Sequence, residues 1–146
     1  MEIERKFLVR EIPKDLDRYP HTDLVQGYLL FSPVVRVRKD GDRYYLTVKG
    51  GGMMVREEYE VPIDEKGFLI LAAKCEGRLI EKTRYRIPYK VWTIELDVFH
   101  GFKEGLVLAE VEFASEEEAR SFEGPDWFSD DVTFDGRYHN SKMARE

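Results

Sequence analysis

Residues 2–9 read Glu2-Ile3-Glu4-Arg5-Lys6-Phe7-Leu8-Val9. Side chains two apart on a strand share a face, so Glu2, Glu4 and Lys6 point one way while Ile3 and Phe7 point the other. The segment reads as a strand with one charged face. A single face of this kind is an ordinary solvated surface of an antiparallel sheet. Its meaning depends on whether it recurs.

It recurs along the chain. Period-two stretches follow at VQGYLLF (25–31), VVRVRKD (34–40), RYYLTVKG (43–50), MMVREEYEVPI (53–63), RLIEKTRYRI (78–87), VWTIELDVF (91–99) and LVLAEVEF (106–113). Asp40-Gly41 marks a tight turn between two of them, and Gly50, Gly51 and Gly52 mark a flexible break. Asp64 is a candidate N-cap for a helix carrying Phe68, Leu71 and Cys75 and stopped by Gly77. Ser115 and Glu118 match a capping box. The tail from Pro125 is expected to be mostly irregular, with a short helix from Asn140. These elements predict a mainly β fold with a few helices and about eight antiparallel strands, in a single domain over 1–146.

Composition bounds the function. The chain has 146 residues, 42% of them hydrophobic, enough for one domain with a core. Its net charge of −6 argues against a nucleic-acid partner. No apolar run reaches membrane-spanning length and no signal-peptide pattern precedes the first strand, so no membrane association and a cytoplasmic location are expected. Cys75 is the only cysteine; within FLILAAKC it is expected to be a buried core thiol.

Sorting the faces gives eight acids (Glu2, Glu4, Glu58, Glu60, Glu95, Asp97, Glu110, Glu112) and eight bases (Lys6, Arg36, Arg38, Lys49, Arg56, Lys82, Arg84, Arg86). A wet surface would alternate signs to gain cross-strand attraction. Here Glu-x-Glu and Arg-x-Arg repeats set like charges about 7 Å apart on one face. Clustered carboxylates suit hard divalent cations such as Mg²⁺ or Mn²⁺, and clustered Arg and Lys suit phosphate oxygens. Together they describe a polyphosphate with its metals. If the sheet closes, its interior is charged and its apolar face looks outward, the inverse of an ordinary small barrel.

The ordered set EIERK, QGYL, VRVR, LTVKG, REEYE, EKTRY, IELDVF, GLVLAEVEF, PDW and DGRYHNSKMA resembles the CYTH superfamily, the triphosphate tunnel metalloenzymes, over essentially the full length. Among its members, compact chains that begin like this one are the bacterial inorganic triphosphatases. The resemblance implies a closed eight-stranded antiparallel β-barrel, or tunnel fold, with helices packed outside. It also implies a small-molecule triphosphate substrate and two Mg²⁺ or Mn²⁺ ions. By the same resemblance Glu2, Glu4, Glu110 and Glu112 are the metal-binding acids. Lys6, Arg36, Arg38, Lys49, Arg56, Lys82 and Arg84 are phosphate contacts, with Glu2, Glu4 and Lys82 closest to catalysis. Glu58, Glu60, Glu95 and Asp97 match further tunnel acids, and Arg86 an outer or mouth position.

The activity so implied is metal-dependent hydrolysis of inorganic triphosphate. Alternatives within the superfamily are hydrolysis of thiamine triphosphate or a nucleotide, and cyclisation of ATP to cyclic AMP. A polyphosphate-binding module without catalysis is a different class, but it has little use for the acids, which repel phosphate unless metals intervene. His21, His100 and His139 lie outside the aligned faces and are expected at the surface or in packing. Trp92 and Trp127 are expected to pack outward. Tyr28 is expected to tune access or to hold a tunnel lysine.

Overall fold

The computed structural model describes residues 1–146. Alternating side chains produce ten strands: β1 (Glu2–Val9), β2 (His21–Phe31), β3 (Val34–Asp40), β4 (Arg43–Lys49), β5 (Val55–Arg56), β6 (Glu58–Ile63), β7 (Glu76–Tyr89), β8 (Trp92–His100), β9 (Val107–Glu112) and β10 (Phe128–Asp131). Three short helices accompany them: α1 (Glu65–Ala72), α2 (Glu116–Ser121) and α3 (Asn140–Met143). No helix is long and apolar enough to cross a membrane.

All neighbouring strands pair antiparallel, in the order β10-β1-β9-β8-β7-β2-β3-β4-β6, and β5 returns to β1. The expected strand at 53–63 is interrupted at Glu57, giving β5 and β6. Taken as one interrupted strand, these complete an eight-stranded barrel whose seam is Glu2↔Arg56 and Ile3↔Val55, extended by Glu4 N–H donating to the Met54 carbonyl at 3.1 Å. Beyond that seam β10, in the tail expected to be mostly irregular, pairs with the far half of β1. The barrel is therefore nearly closed.

The apolar face lies outside, as an inverted barrel requires. Phe7, Ile87, Ile94, Leu96, Ala109, Val111 and Phe113 form an outer core covered by Ala119 and Phe122, at and just after α2, and by Phe128 of β10. Ser115 caps α2 by accepting from Glu118 N–H at 3.1 Å. The Glu118 side chain then turns to accept the Trp92 indole N–H. Trp92 packs edge-on against Phe113 and Phe122, and Trp127 against Phe128.

A second core lies inside. Tyr28, Val34, Ile80, Phe99 and Leu108 share the tunnel-facing parity of Gln26, Arg36, Lys82, Asp97 and Glu110, and they pack with Val132, Met143 and Ala144. The interior thus changes from charged to apolar along its length, and α3 stoppers the apolar end. The terminal segment is held there by Arg78 N–H donating to the Ala144 carbonyl at 2.7 Å and by a 2.6 Å ion pair between Lys103 and Glu146.

Two expectations around α1 need correction. Asp64 does cap the helix, accepting from Gly67 N–H at 2.7 Å, but the helix ends at Ala72 and Gly77 lies inside β7. Cys75 sits beyond the helix, half-buried rather than in the core. Gly77 instead serves close approach: its φ is +73°, and a Cβ there would lie 2.2 Å from the Ala144 carbonyl oxygen. Gly77→Ala is expected to lower stability by about 1–3 kcal/mol in urea unfolding. Gly105→Ala, at φ +97° but with open space around it, should lose less; equal losses would mean that the contact with α3 carries no weight.

Candidate active site

Strand parity and register assemble the site. The charged end of the tunnel is lined by six carboxylates, from Glu2, Glu4, Glu58, Glu95, Glu110 and Glu112, and by seven cations, from Lys6, Arg36, Arg38, Lys49, Arg56, Lys82 and Arg84. Most of the expected residues therefore meet in one cavity. Three do not reach its wall. Glu60 is exposed and accepts from the Thr47 hydroxyl at 3.2 Å. Arg86 lies further along the face, donating to the Thr22 hydroxyl 3.2 Å away. Asp97 shares the tunnel face but is wholly buried as a counter-ion beneath Lys82 and Arg84.

Asp97 organises the floor. It accepts two hydrogen bonds from Arg84, at 2.8 and 2.9 Å, and pairs with Lys82 Nζ at 2.8 Å. Burial opposes its ionisation, but Arg84 and Lys82 outweigh that cost and hold its pKa below the usual carboxylate range. Burial pulls Lys82 down to about 8 despite Asp97, so the pair stays charged at neutral pH. Arg84 also reaches Glu95 at 3.2 Å and Glu110 at 3.6 Å; its donors are largely engaged by acids, and it anchors the carboxylates.

Across the β1/β9 ladder Glu4 stands directly opposite Glu112. Across β8/β9 Glu95 stands directly opposite Glu110. Opposed like charges on one face are destabilising. Burial raises the Glu110 pKa, but Lys6, Arg84 and Lys82 overcome it and hold the group well below the usual range. For Glu4 the balance goes the other way: burial, then Glu110 and Glu2, push it up to about 8 against the weaker pull of Lys49 and Lys6. Burial, with Glu2 and Glu95, also raises Glu112. Glu2 is raised by burial against the opposing pull of Lys49, its partner at 3.0 Å.

The opposite wall is basic. Arg36, Arg38 and Lys49 come from β3 and β4, and the buried Arg36 Nε–H has no hydrogen-bond partner. A buried donor without a partner costs free energy until an acceptor arrives. An acid wall thus faces a basic wall. No three acid, His or Cys side chains converge into a ready-made metal cage. Carboxylates arranged in pairs match Mg²⁺, which is commonly held by one or two carboxylates together with substrate phosphates.

The terminal segment supplies residues the strand parity could not reveal. His139, Asn140 and Ser141 line the cavity at the start of α3, so His139 is not the surface or packing residue that was expected; His21 and His100 are exposed. Asn140 Oδ1 accepts from Lys82 Nζ at 3.1 Å, and the Tyr138 carbonyl accepts from Lys6 Nζ at 3.0 Å. Tyr28 also lines the cavity, but its hydroxyl holds no lysine; it accepts from Gln26 Nε2 at 2.9 Å.

The CYTH domain family model matches residues 1–143. An inorganic triphosphatase of Nitrosomonas europaea is 45% identical over 149 residues, covering 98% of this chain and 96% of that protein. An inorganic triphosphatase of Acetivibrio thermocellus is 41% identical over 150 residues, covering 99% and 93%. A crystal structure of an inorganic triphosphatase superposes with a TM-score of 0.74 at 41% identity, covering 100% of this chain and 95% of that one.

The raised Glu4 pKa fixes a sign. Between the ordinary carboxyl value of 4.5 and about 8 the folded state holds a proton that the unfolded state has lost, so stability without metal falls as pH rises through that window. A cation bound by Glu4 must displace the proton. The increase in melting temperature on adding Mg²⁺ should therefore grow from pH 6 to about 8 and then level off. Glu4→Gln should raise the metal-free melting temperature above pH 6 and remove the growth; an Mg²⁺ shift independent of pH would contradict the assignment.

Proposed function

Because the chain belongs to the CYTH family, we propose that it hydrolyses inorganic triphosphate to diphosphate and phosphate in this tunnel, with Mg²⁺ or Mn²⁺, held as a pair of ions, as cofactor. The observation that carries the reading is the opposition of the two walls. The cavity lining sets six acids against seven bases, close to charge balance once Glu4 gives up its proton. A polyanion gains little there by itself and much when divalent cations enter with it, seated on Glu2, Glu4 and Glu112 with Glu110 beside them. Those metals would supply charge neutralisation and the acidity that makes water a nucleophile at neutral pH.

The chain's own groups do the positioning. Phosphoryl transfer needs little covalent help, so catalysis is orientation and charge stabilisation. Arg36, Arg38 and Arg56 keep guanidinium N–H groups available for phosphate oxygens, with Lys49 alongside. Lys82, steadied by Asp97 and Asn140, and Lys6 place positive charge at the deep end, where the leaving oxygen gathers negative charge. The apolar plug behind them keeps bulk water from that end. Arg84 holds the acids apart rather than gripping substrate.

The same cavity favours an inorganic substrate over a nucleotide. Its only hydrophobic lining residues are Tyr28 and Val34, both belonging to the plug. Trp92 and Trp127 are committed to the outer core, so neither is free to stack a base at the mouth. The match to proteins named inorganic triphosphatases supports the same choice.

Phosphate release from inorganic triphosphate, beside ATP and thiamine triphosphate, tests the proposal. Release should require Mg²⁺ or Mn²⁺, stop with chelator, and be abolished by Glu4→Gln. Arg36→Gln should lower kcat/KM about 10- to 100-fold, the range for a hydrogen bond to a charged group. Faster turnover of ATP, or cyclic AMP among its products, would move the assignment to the nucleotide alternatives. Binding without turnover of any substrate would leave a polyphosphate-binding module.

A further inference from the structure

Gln26 is fully buried on the tunnel-facing side of β2. A buried primary amide needs partners for both its ends, and here the two ends are not interchangeable. Arg38 Nε donates to Gln26 Oε1 at 3.0 Å. A guanidinium can only donate, so the amide oxygen must face Arg38 and the amide nitrogen must face the other way. That nitrogen donates to the Tyr28 hydroxyl oxygen at 2.9 Å.

The direction then propagates. With its oxygen accepting from Gln26, the Tyr28 hydroxyl must aim its own proton elsewhere, and Tyr28 stands at the tunnel wall. Its ring is 98% buried and stacked on Phe31 with centroids 5.7 Å apart, which leaves the O–H torsion as its main freedom. The cross-strand neighbour of Tyr28 is Arg36, whose buried Nε–H also lacks a partner. Two unengaged donors thus occupy adjacent positions on one wall. Gly27 helps to hold them there. A Cβ at that position would lie 2.6 Å from Leu79 Cδ2 and 2.8 Å from Cys75 Sγ, so β2 is pressed close beneath Gln26 and Tyr28.

We propose that Gln26 is a positioning residue: through its amide it turns the Tyr28 hydroxyl into a donor toward a phosphoryl oxygen of the substrate while holding the Arg38 fork in place. This rests on the triphosphatase reading of the tunnel. Gln26 touches no substrate; it acts by setting which way a proton points.

Gln26→Glu isolates the effect. The carboxylate has the same size and still accepts from Arg38, but it cannot donate, so Tyr28 turns its proton toward the carboxylate and presents only lone pairs to phosphate. In steady-state assays with inorganic triphosphate, Gln26→Glu and Tyr28→Phe should each lower kcat/KM about 10- to 100-fold. The double variant should be no worse than Tyr28→Phe alone, because both changes remove the same donor. A merely structural role for Gln26 predicts additive losses instead. Additive losses, or wild-type kinetics in Gln26→Glu, would overturn the proposal. Wild-type kinetics in Tyr28→Phe would overturn it even if Gln26→Glu failed to fold. No release by the unaltered protein would overturn the activity reading and the proposal with it, and this outcome is distinct because it involves no variant.

Discussion

Carboxylates placed face to face inside a barrel are the constraint on which the structure turns. Glu4 opposes Glu112 and Glu95 opposes Glu110 across neighbouring ladders, an arrangement that costs stability in the absence of positive charge. Part of that charge is built in: Lys6 and Arg84 hold Glu110, and Lys49 holds Glu2. For Glu4 and Glu112 the pull of the nearby lysines falls short of burial and the neighbouring acids, and their pKa values stay raised. The acids facing the tunnel thus divide into those whose charge neighbouring bases secure and those whose charge they do not.

The fold makes the arrangement sustainable. Charging the interior displaces the apolar residues to the outer face, where α2, β10 and the aromatic cluster around Phe122 keep them from water. At one end the interior reverts to apolar packing, closed by Met143 and Ala144. The tunnel is therefore a blind cup with a polar mouth and a dry floor, and its charged side chains sit where low local dielectric strengthens every charge interaction. Asp97 shows the economy of the floor: one buried carboxylate fixes Lys82 and Arg84 together.

Period-two parity is read directly from a sequence, which is why Glu2, Glu4, Lys6, Arg36, Arg38, Lys49, Lys82, Arg84, Glu110 and Glu112 could be assigned to one face and do meet in one cavity. Depth and register are not read that way. Parity put Asp97 and Glu60 among the tunnel acids, yet neither lines the open cavity: Asp97 is buried against Lys82 and Arg84, and Glu60 is exposed beside Thr47. The facing of Glu4 with Glu112 needs the pairing of strands more than 100 positions apart, which alternation does not encode. His139 and Asn140 lie in a segment without periodicity, and only the packing of the terminal segment brings them to the cavity, Asn140 against Lys82. β10 is four residues long and carries two acids, too short and too polar for its strand period to show. Gly77 carried a helix-stop signal, but its positive φ serves a close approach to Ala144 instead.

The central claim is that metal and polyanion each supply the charge the other needs in this cavity. Calorimetric titration measures this directly, with Mg²⁺ titrated alone, inorganic triphosphate titrated into chelator-treated protein, and each then titrated in the presence of the other under conditions too cold or too brief for turnover. The account predicts weak binding of each alone and reciprocal tightening when both are present, as linkage between the two sites demands. Triphosphate binding of equal strength with and without Mg²⁺ would contradict it.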